Sequence, residues 1–200
     1  MRKEHKDGSP VSVRDLSAGD EAGLRAMFGR LSRDTIYKRF HMPFPRIPEP
    51  MLAHLMGHGG DRSLVAVAGG EIVGQALYAG EPGGEEAEVA LVVEDGWQSV
   101  GIGKLLLAGL ARKAVGRGVE TFTAVALGEN RRVLGLVDAV FAGPRHTLRD
   151  GSYDISICPC GASGHRRSPA RRYDPQRDRT SDVRRCTTRE KSQASATKKL

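Results

Sequence analysis

Apolar and polar positions along this chain follow two periods, and the switches between them mark out its elements. Val11-Ser12-Val13-Arg14-Asp15-Leu16 reads as an opening strand. Leu24, Met27, Phe28 and Leu31 then share one helical face behind Asp20, a candidate N-cap. Ser32-Arg33-Asp34-Thr35 restarts the chain, with Ile36, Tyr37 and Phe40 as the next apolar positions. Pro43, Pro45, Pro48 and Pro50 predict a stiff, non-helical passage into a short helix around Met51 to Met56. Leu64 to Ala68 and Glu71 to Tyr78, joined by Gly69-Gly70, read as a hairpin. After a loop at Glu81 to Glu86, the unbroken apolar run Val89 to Val93 predicts a buried strand. Ile102, Leu105, Leu106, Leu110 and Ala114 recur at helical spacing until Gly116 and Gly118 stop the helix. Thr121 to Leu127 alternates like a half-buried strand, Glu129-Asn130-Arg131-Arg132 opens another helix, and Tyr153 to Ile157 reads as a last strand. An antiparallel start followed by a strand-helix-strand crossover implies an α/β protein with a mixed sheet, and no internal repeat is visible.

The turn between the buried strand and the leucine-rich helix is Gln98-Ser99-Val100-Gly101-Ile102-Gly103. A strand that passes through two close glycines into a helix leaves the first-turn N–H groups unpaired beside the positive end of the helix dipole. That arrangement can cradle a phosphate, and a side chain at Gly101 or Gly103 would hold a pyrophosphate off the backbone or demand a strained φ. A glycine-tolerant turn with no ligand fits the same spacing. Two named phosphate motifs are excluded. Gly103-Lys104 is followed by Leu105 where a Walker A loop needs Ser or Thr, and Leu106 stands where the dinucleotide fingerprint needs a third glycine.

Composition changes the picture at the C-terminus. The chain has 200 residues and a net charge of +7. Residues 161–200 carry twelve Lys or Arg against four acidic residues, so the preceding 160 residues balance at −1. The tail has almost no apolar residues, which predicts one domain over residues 11–157, a flexible N-terminus over 1–10 and a disordered basic tail over 158–200. Tyr173 is the tail's one aromatic and no reader motif is present, so nucleic acid is not expected as a partner. No apolar stretch is long enough to span a bilayer, and residues 1–8 are polar with no apolar segment following, so neither a membrane anchor nor a signal peptide is expected. Three cysteines make no disulfide framework, which points to a reducing cytoplasm. Cys158-Pro159-Cys160 with His165 and Cys186 matches no regular zinc spacing, and His41, His54 and His58 lack partners at ligand spacing, so no metal is expected.

The central stretch is where a family resemblance becomes specific. Glu88, the apolar strand, and Gln98-x-x-Gly101-x-Gly103 opening a leucine-rich helix resemble the acetyl-CoA-binding core of the GNAT superfamily of N-acetyltransferases. Asn130 falls where that superfamily places an Asn facing the cofactor, and the match extends from about Val11 to Ile157. Phe28 to Phe40 is similar to the corresponding stretch of the bacterial protein-lysine acetyltransferase type. The resemblance implies a GNAT-type mixed central sheet flanked by helices, acetyl-CoA as acetyl donor, and an acceptor groove bordered by the proline-rich passage. It implies that backbone groups of Leu91, Val92 and Val93 hold the pantetheine arm, with an N–H near Val93 stabilising the oxyanion. It further implies that Gln98, Ser99, Val100, Gly101, Ile102, Gly103 and Lys104 hold the pyrophosphate and that Asn130 contacts the pantetheine end.

Acetyl transfer to an amine needs a neutral nucleophile, because an ammonium cannot attack a thioester, so a carboxylate near the acceptor is the expected base. Glu88, ten residues before Gln98, matches the position where many GNAT enzymes carry it, and partial burial there should raise its pKa. Glu86, Glu94 and Asp95 are weaker candidates, and a solvated charge within Glu85, Glu86 and Glu88 is the competing reading. No covalent enzyme intermediate is required, so no cysteine need act as nucleophile. Three positions depart from the family pattern: Ser99-Val100 replaces the usual Gly and Arg, Val137 stands where many members place a Tyr that protonates the thiolate, and Val140-Phe141 replaces a closing Gly-Phe. The expectation is a cytoplasmic N-acetyltransferase acting on a protein lysine. A polyamine or aminoglycoside acetyltransferase, favoured by a narrow acidic pocket, and a non-catalytic acyl-CoA-binding regulatory module remain open beside it. Oligomeric state is not written in the residues.

Overall fold

Among the described residues eight strands, numbered β1 to β8 in chain order with the ranges given below, form one sheet in the order β1-β2-β3-β4-β5-β6-β8-β7. This is a computed structural model, and it describes residues 3–4, 10–57 and 60–162. The expectations for the remainder of residues 1–10, for His58, His165 and Cys186, and for a basic tail over 163–200 lie outside the described residues. The strands are β1 (Lys3–Glu4), β2 (Pro10–Leu16), β3 (Gly60–Ala68), β4 (Glu71–Ala79), β5 (Glu86–Val93), β6 (Thr121–Leu127), β7 (Arg145–Arg149) and β8 (Ser152–Ile157). The helices are α1 (Glu21–Arg30), α2 (Arg33–Phe40), α3 (Glu49–Gly57), α4 (Ile102–Val115) and α5 (Arg131–Val140).

Local chemistry accounts for the junctions. The β3–β4 hairpin turns on Gly69 and Gly70, both at positive φ (57° and 85°), the combination a two-residue type I′ turn requires. Asp20 precedes α1 as predicted, but its carboxylate does not cap that helix. It accepts instead from the Ser17 N–H and hydroxyl and from Arg14, closing the turn before α1. Ser32 caps α2 by accepting from the Thr35 N–H at 3.1 Å. Two elements carried no readable period: β7, nearly all of it exposed, and the two-residue β1.

The sheet separates two apolar clusters. Odd positions of β5 (Ala87, Val89) and the inward faces of β6 and β8 (Phe122, Ile155, Ile157) pack with Ile102, Leu106 and Leu110 of α4 and Val137 and Val140 of α5. On the opposite face Val92 joins Leu24, Met27 and Phe28 of α1, Ile36 of α2 and Leu52 and Leu55 of α3. The proline-rich passage therefore leads into core packing through Ile47, Leu52 and Leu55. Order continues past Ile157, where tail was expected to begin. Pro159–Gly161 form a short turn packed on α4 with Pro159 buried, and a disulfide links Cys158 to Cys160. That bridge departs from the expectation of cysteines without disulfide pairing. No helix among the described residues is long and apolar enough to cross a membrane.

Every neighbouring pair of strands is antiparallel except β5 and β6, which run parallel through the α4 crossover. That parallel ladder is short. It pairs Glu86, Ala87 and Glu88 with Thr121, Phe122 and Thr123, and then the strands part. On its other edge β5 stays paired with β4 through Val93. From Val89 to Val93 the edge facing β6 consequently has no strand partner, and this opening positions the site.

Candidate active site

A cavity of about 780 Å³ occupies the opening between the diverging strands. Its floor is Leu91, Val92 and Val93 of β5. Its walls are the turn Gln98–Gly101 with Gly103 and Lys104 of α4, Asn130 with the first turns of α5, and Thr35, Lys38 and Arg39 of α2. Ten of the eleven residues expected at a cofactor site thus line one cavity. Ile102 does not, since its side chain is 1% exposed and belongs to the core, leaving only its backbone in the turn.

The turn has the conformation the glycines suggested. Gly101 stands at the N-cap of α4 with φ 93°, supplies no side-chain cap, and leaves the first-turn N–H groups open. Ser99 also has positive φ, 63°, uncommon for a residue with a Cβ and of the kind that concentrates at functional sites. Gly103 serves packing rather than conformation. A Cβ there would meet Leu136 Cδ2 at 3.0 Å and Leu91 Cδ2 at 3.5 Å, so the missing side chain lets α4, α5 and β5 converge. Lys104 and Arg131 border the cavity and form no ion pair among the described residues, whereas Lys38 is paired with Asp34 at 2.6 Å. Cations and open N–H groups at one end of a cavity, and an unpaired strand edge along its floor, suit an extended ligand with phosphates at one end and amides along its length.

Gln98 lines the cavity as expected, and its side chain is also hydrogen-bonded within the protein. Its side-chain nitrogen donates to Val93 O at 3.0 Å and to Thr35 Oγ1 at 3.2 Å, and its oxygen accepts from Arg132 at 2.9 Å. Both ends of the amide are spent clasping β5, α2 and α5 together. Asp95 completes the clasp by accepting from the Ser32 N–H (2.9 Å), the Ser32 hydroxyl (2.7 Å) and the Thr35 hydroxyl (2.7 Å). Burial pushes the Asp95 carboxyl up, but the bonds from Ser32 and Thr35 outweigh it and hold the group below its ordinary value. Glu94 forms an ion pair with Arg30 at 3.0 Å. Two of the three weaker candidates for a base, Glu94 and Asp95, are thereby committed to structure, while Glu86 lines the hollow described below. Asn130 caps α5, its Oδ1 accepting from the Val133 N–H at 3.4 Å, while it borders the cavity.

Glu88 lies at the last rung of the β5–β6 ladder, opposite Thr123. It is exposed, so the partial burial expected of it is absent. It does not line the large cavity but a separate hollow of about 490 Å³, whose lining among the described residues comes from strands alone. Glu86, Thr123, Val125, Arg145 and Asp154 line the same hollow. Residues of the proline-rich passage line neither of these two cavities. Val137 is 3% exposed within the core, so the family's tyrosine position is closed off from the cavity here. Among the described residues no group of three His, Cys, Asp or Glu side chains could hold a metal.

Sequence reasoning missed the contribution of α2. Thr35, Lys38 and Arg39 recur at helical spacing on a polar face, but nothing local shows that this face leans on β5. Arg39 is the notable one. Its guanidinium is half-buried, lies 4.7 Å from the Phe40 ring centroid, and makes no hydrogen bond or ion pair among the described residues. Desolvation lowers its pKa to about 10, against the attraction of Glu88.

Comparison with known proteins agrees with this geometry. The family model of the acetyltransferase (GNAT) family matches residues 30–139, more than half of the chain. The chain belongs to that family, and it is an acetyltransferase by family. The GNAT domain of Streptomyces lividans PAT is 26% identical, with a TM-score of 0.69 over 79% of this chain and 96% of that one. A phosphinothricin acetyltransferase from Sinorhizobium meliloti, solved with acetyl-CoA, shares the fold at 17% identity (TM-score 0.56, 74% of this chain and 88% of that one). So does yncA from Salmonella typhimurium, solved with its cofactor acetyl-CoA, at 16% identity (TM-score 0.55, 80% and 98%).

Proposed function

We propose that this acetyltransferase moves the acetyl group of acetyl-CoA onto the side-chain amine of a lysine in another protein, with Glu88 as general base. The observation that carries the reading is the position of Glu88. It stands where the β5–β6 ladder ends, with the large cavity further along β5 and an open hollow, lined among the described residues by strands, in front. A narrow acidic pocket would suit a small polyamine, whereas an open face admits a lysine carried on a polypeptide.

Acetyl-CoA would supply an activated acyl carbon as its thioester. The Ser99–Gly101 turn and the first-turn N–H groups of α4, with Lys104 and Arg131, would hold its phosphates. The unpaired edge of β5 at Leu91 to Val93 would take the amides of the pantetheine arm, and Asn130 would contact it from α5. Glu88 would draw one proton from the arriving ammonium and free the lone pair that forms the new C–N bond; as the C–S bond breaks, coenzyme A leaves as a thiolate that takes up the second nitrogen-bound proton. The two structures solved with acetyl-CoA support the donor. The acetyltransferase unit is assigned to residues 11–157.

Calorimetry with acetyl-CoA, followed by steady-state acetylation of lysine peptides and of spermidine, tests this reading. Binding and faster transfer to peptides are expected. Absence of acetyl-CoA binding by the folded protein refutes the donor, and a spermidine preference refutes the acceptor.

A further inference from the structure

A smaller cavity, of about 190 Å³, lies at the start of β5 and shares no residue with the donor cavity at its end. Tyr78 of β4, Ala87 of β5 and Val119 line it, together with Arg62 of β3, Arg117 and the loop that joins β4 to β5. Ser63 pairs with Leu77, so Arg62 and Tyr78, one rung further out, share the other face of the β3–β4 hairpin. The Arg62 guanidinium reaches from there to Gly80 O, at 3.4 Å. The loop is held close against β5, since a Cβ on Gly80 would meet Glu86 O at 2.6 Å, and it turns back on itself where the Gly84 N–H donates to Glu81 O at 3.0 Å.

Tyr78 is 3% exposed, and its hydroxyl, cut off from solvent, has no hydrogen-bond partner. The ring is accounted for by its packing on Phe122 in the core, at 5.9 Å between centroids. The oxygen is not, because buried polar groups are nearly always paired and phenylalanine would fill the same space without one. Arg62 forms no ion pair among the described residues, and its bond to Gly80 is longer than an ordinary N–H···O contact, which leaves donors of its five to spare. A phenol O–H and a guanidinium thus face one small space, and the group that satisfies both is an acceptor oxygen. Glu81 and Glu86 line the same cavity, are exposed, and form no ion pair among the described residues. They repel a polyanion and attract an ammonium. At ~30 Å³ per water the space takes about six non-hydrogen atoms.

We propose that this cavity binds a small α-amino acid, its carboxylate accepting from the Tyr78 hydroxyl and the Arg62 guanidinium and its ammonium facing Glu81 and Glu86. The site is separate from the donor cavity and does not depend on which amine is acetylated. Burial pushes the Tyr78 phenol above its ordinary pKa while Arg62 pulls it down, which agrees with a protonated hydroxyl that donates beside a guanidinium.

Calorimetry on the full chain with alanine, propionate, ethylamine and inorganic phosphate tests the assignment. Alanine is expected to bind about tenfold or more tightly than propionate or ethylamine, each of which keeps one of its two charges. Arg62→Gln should weaken alanine by about tenfold or more, the range for a charged donor, and Tyr78→Phe by about two- to tenfold. Because Tyr78→Phe removes an oxygen that no protein group satisfies, its urea midpoint without ligand should equal or exceed that of wild type. Saturating alanine should then raise the wild-type midpoint more than the variant's. A lower midpoint for Tyr78→Phe without ligand shows the hydroxyl already satisfied by trapped water and overturns the inference. Absence of alanine binding, or alanine binding that neither substitution weakens, overturns it as well. Phosphate bound more tightly than alanine overturns it by making the site one for a plain oxyanion.

Discussion

Replacing Gln98 with alanine separates two roles for the residue that the family motif places at the head of its phosphate turn. In the structure its amide makes three hydrogen bonds, to Val93 O, Thr35 Oγ1 and Arg132, and none of its polar capacity points at the cradle. Two of these are neutral bonds worth ~0.5–1.5 kcal/mol each, and the third involves a charged donor worth ~1.5–3 kcal/mol. Arg132 is exposed and water can reach the site once the side chain is shortened, so the net loss settles at about 2 kcal/mol. With an m-value of about 2 kcal/mol/M for a domain of this size, Gln98→Ala should unfold at about 1 M lower urea. Its acetyl-CoA dissociation constant, measured by calorimetry well below that midpoint, should rise by less than about tenfold, because the turn N–H groups remain. An unchanged urea midpoint together with a loss of affinity of a hundredfold would refute the clasp and return Gln98 to direct phosphate contact.

Other outcomes follow from the same geometry. Glu88→Gln should lower kcat by about 10²–10⁴ while stability moves within about 0.5 kcal/mol, because the side chain is exposed. Acetyl-CoA affinity should hold, since Glu88 lines the other hollow, and a smaller loss of kcat rejects it as the base. Gly101→Ala forces a Cβ onto φ 93° at a cost of about 1–2 kcal/mol and should weaken acetyl-CoA binding, so unaltered binding and melting would show that the turn tolerates side chains. Asp95 titrates below its unfolded value, so its contribution is present above about pH 4 and is lost as pH falls through the folded pKa. The gap between urea melts of wild type and Asp95→Asn should be largest at pH 7 and shrink progressively as pH falls below about 4, and a constant gap would contradict the hydrogen-bonded carboxylate.

What the residues themselves settled was local. The glycine pair at 69–70 dictates its turn, the period of Ile102 to Ala114 dictates α4, and the alternation at Thr121 to Leu127 dictates β6, because each is set by backbone sterics and the burial of one face within a few residues. The phosphate-cradle shape of the turn was legible for the same reason. β7 was not, since an exposed edge strand has no apolar period to read. Only the tertiary structure decided where β5 and β6 part, because the ladder's end at Glu88 and Thr123 depends on what each strand packs against. It alone brought α2 against β5, engaged Gln98 as a clasp in the cavity wall, placed Glu88 on a hollow lined by strands, and left Arg39 with no ion pair among the described residues. The bonds from α2 and its cap to Asp95 and Gln98 join residues about 60 positions apart, and a one-dimensional pattern carries no record of which distant groups will meet.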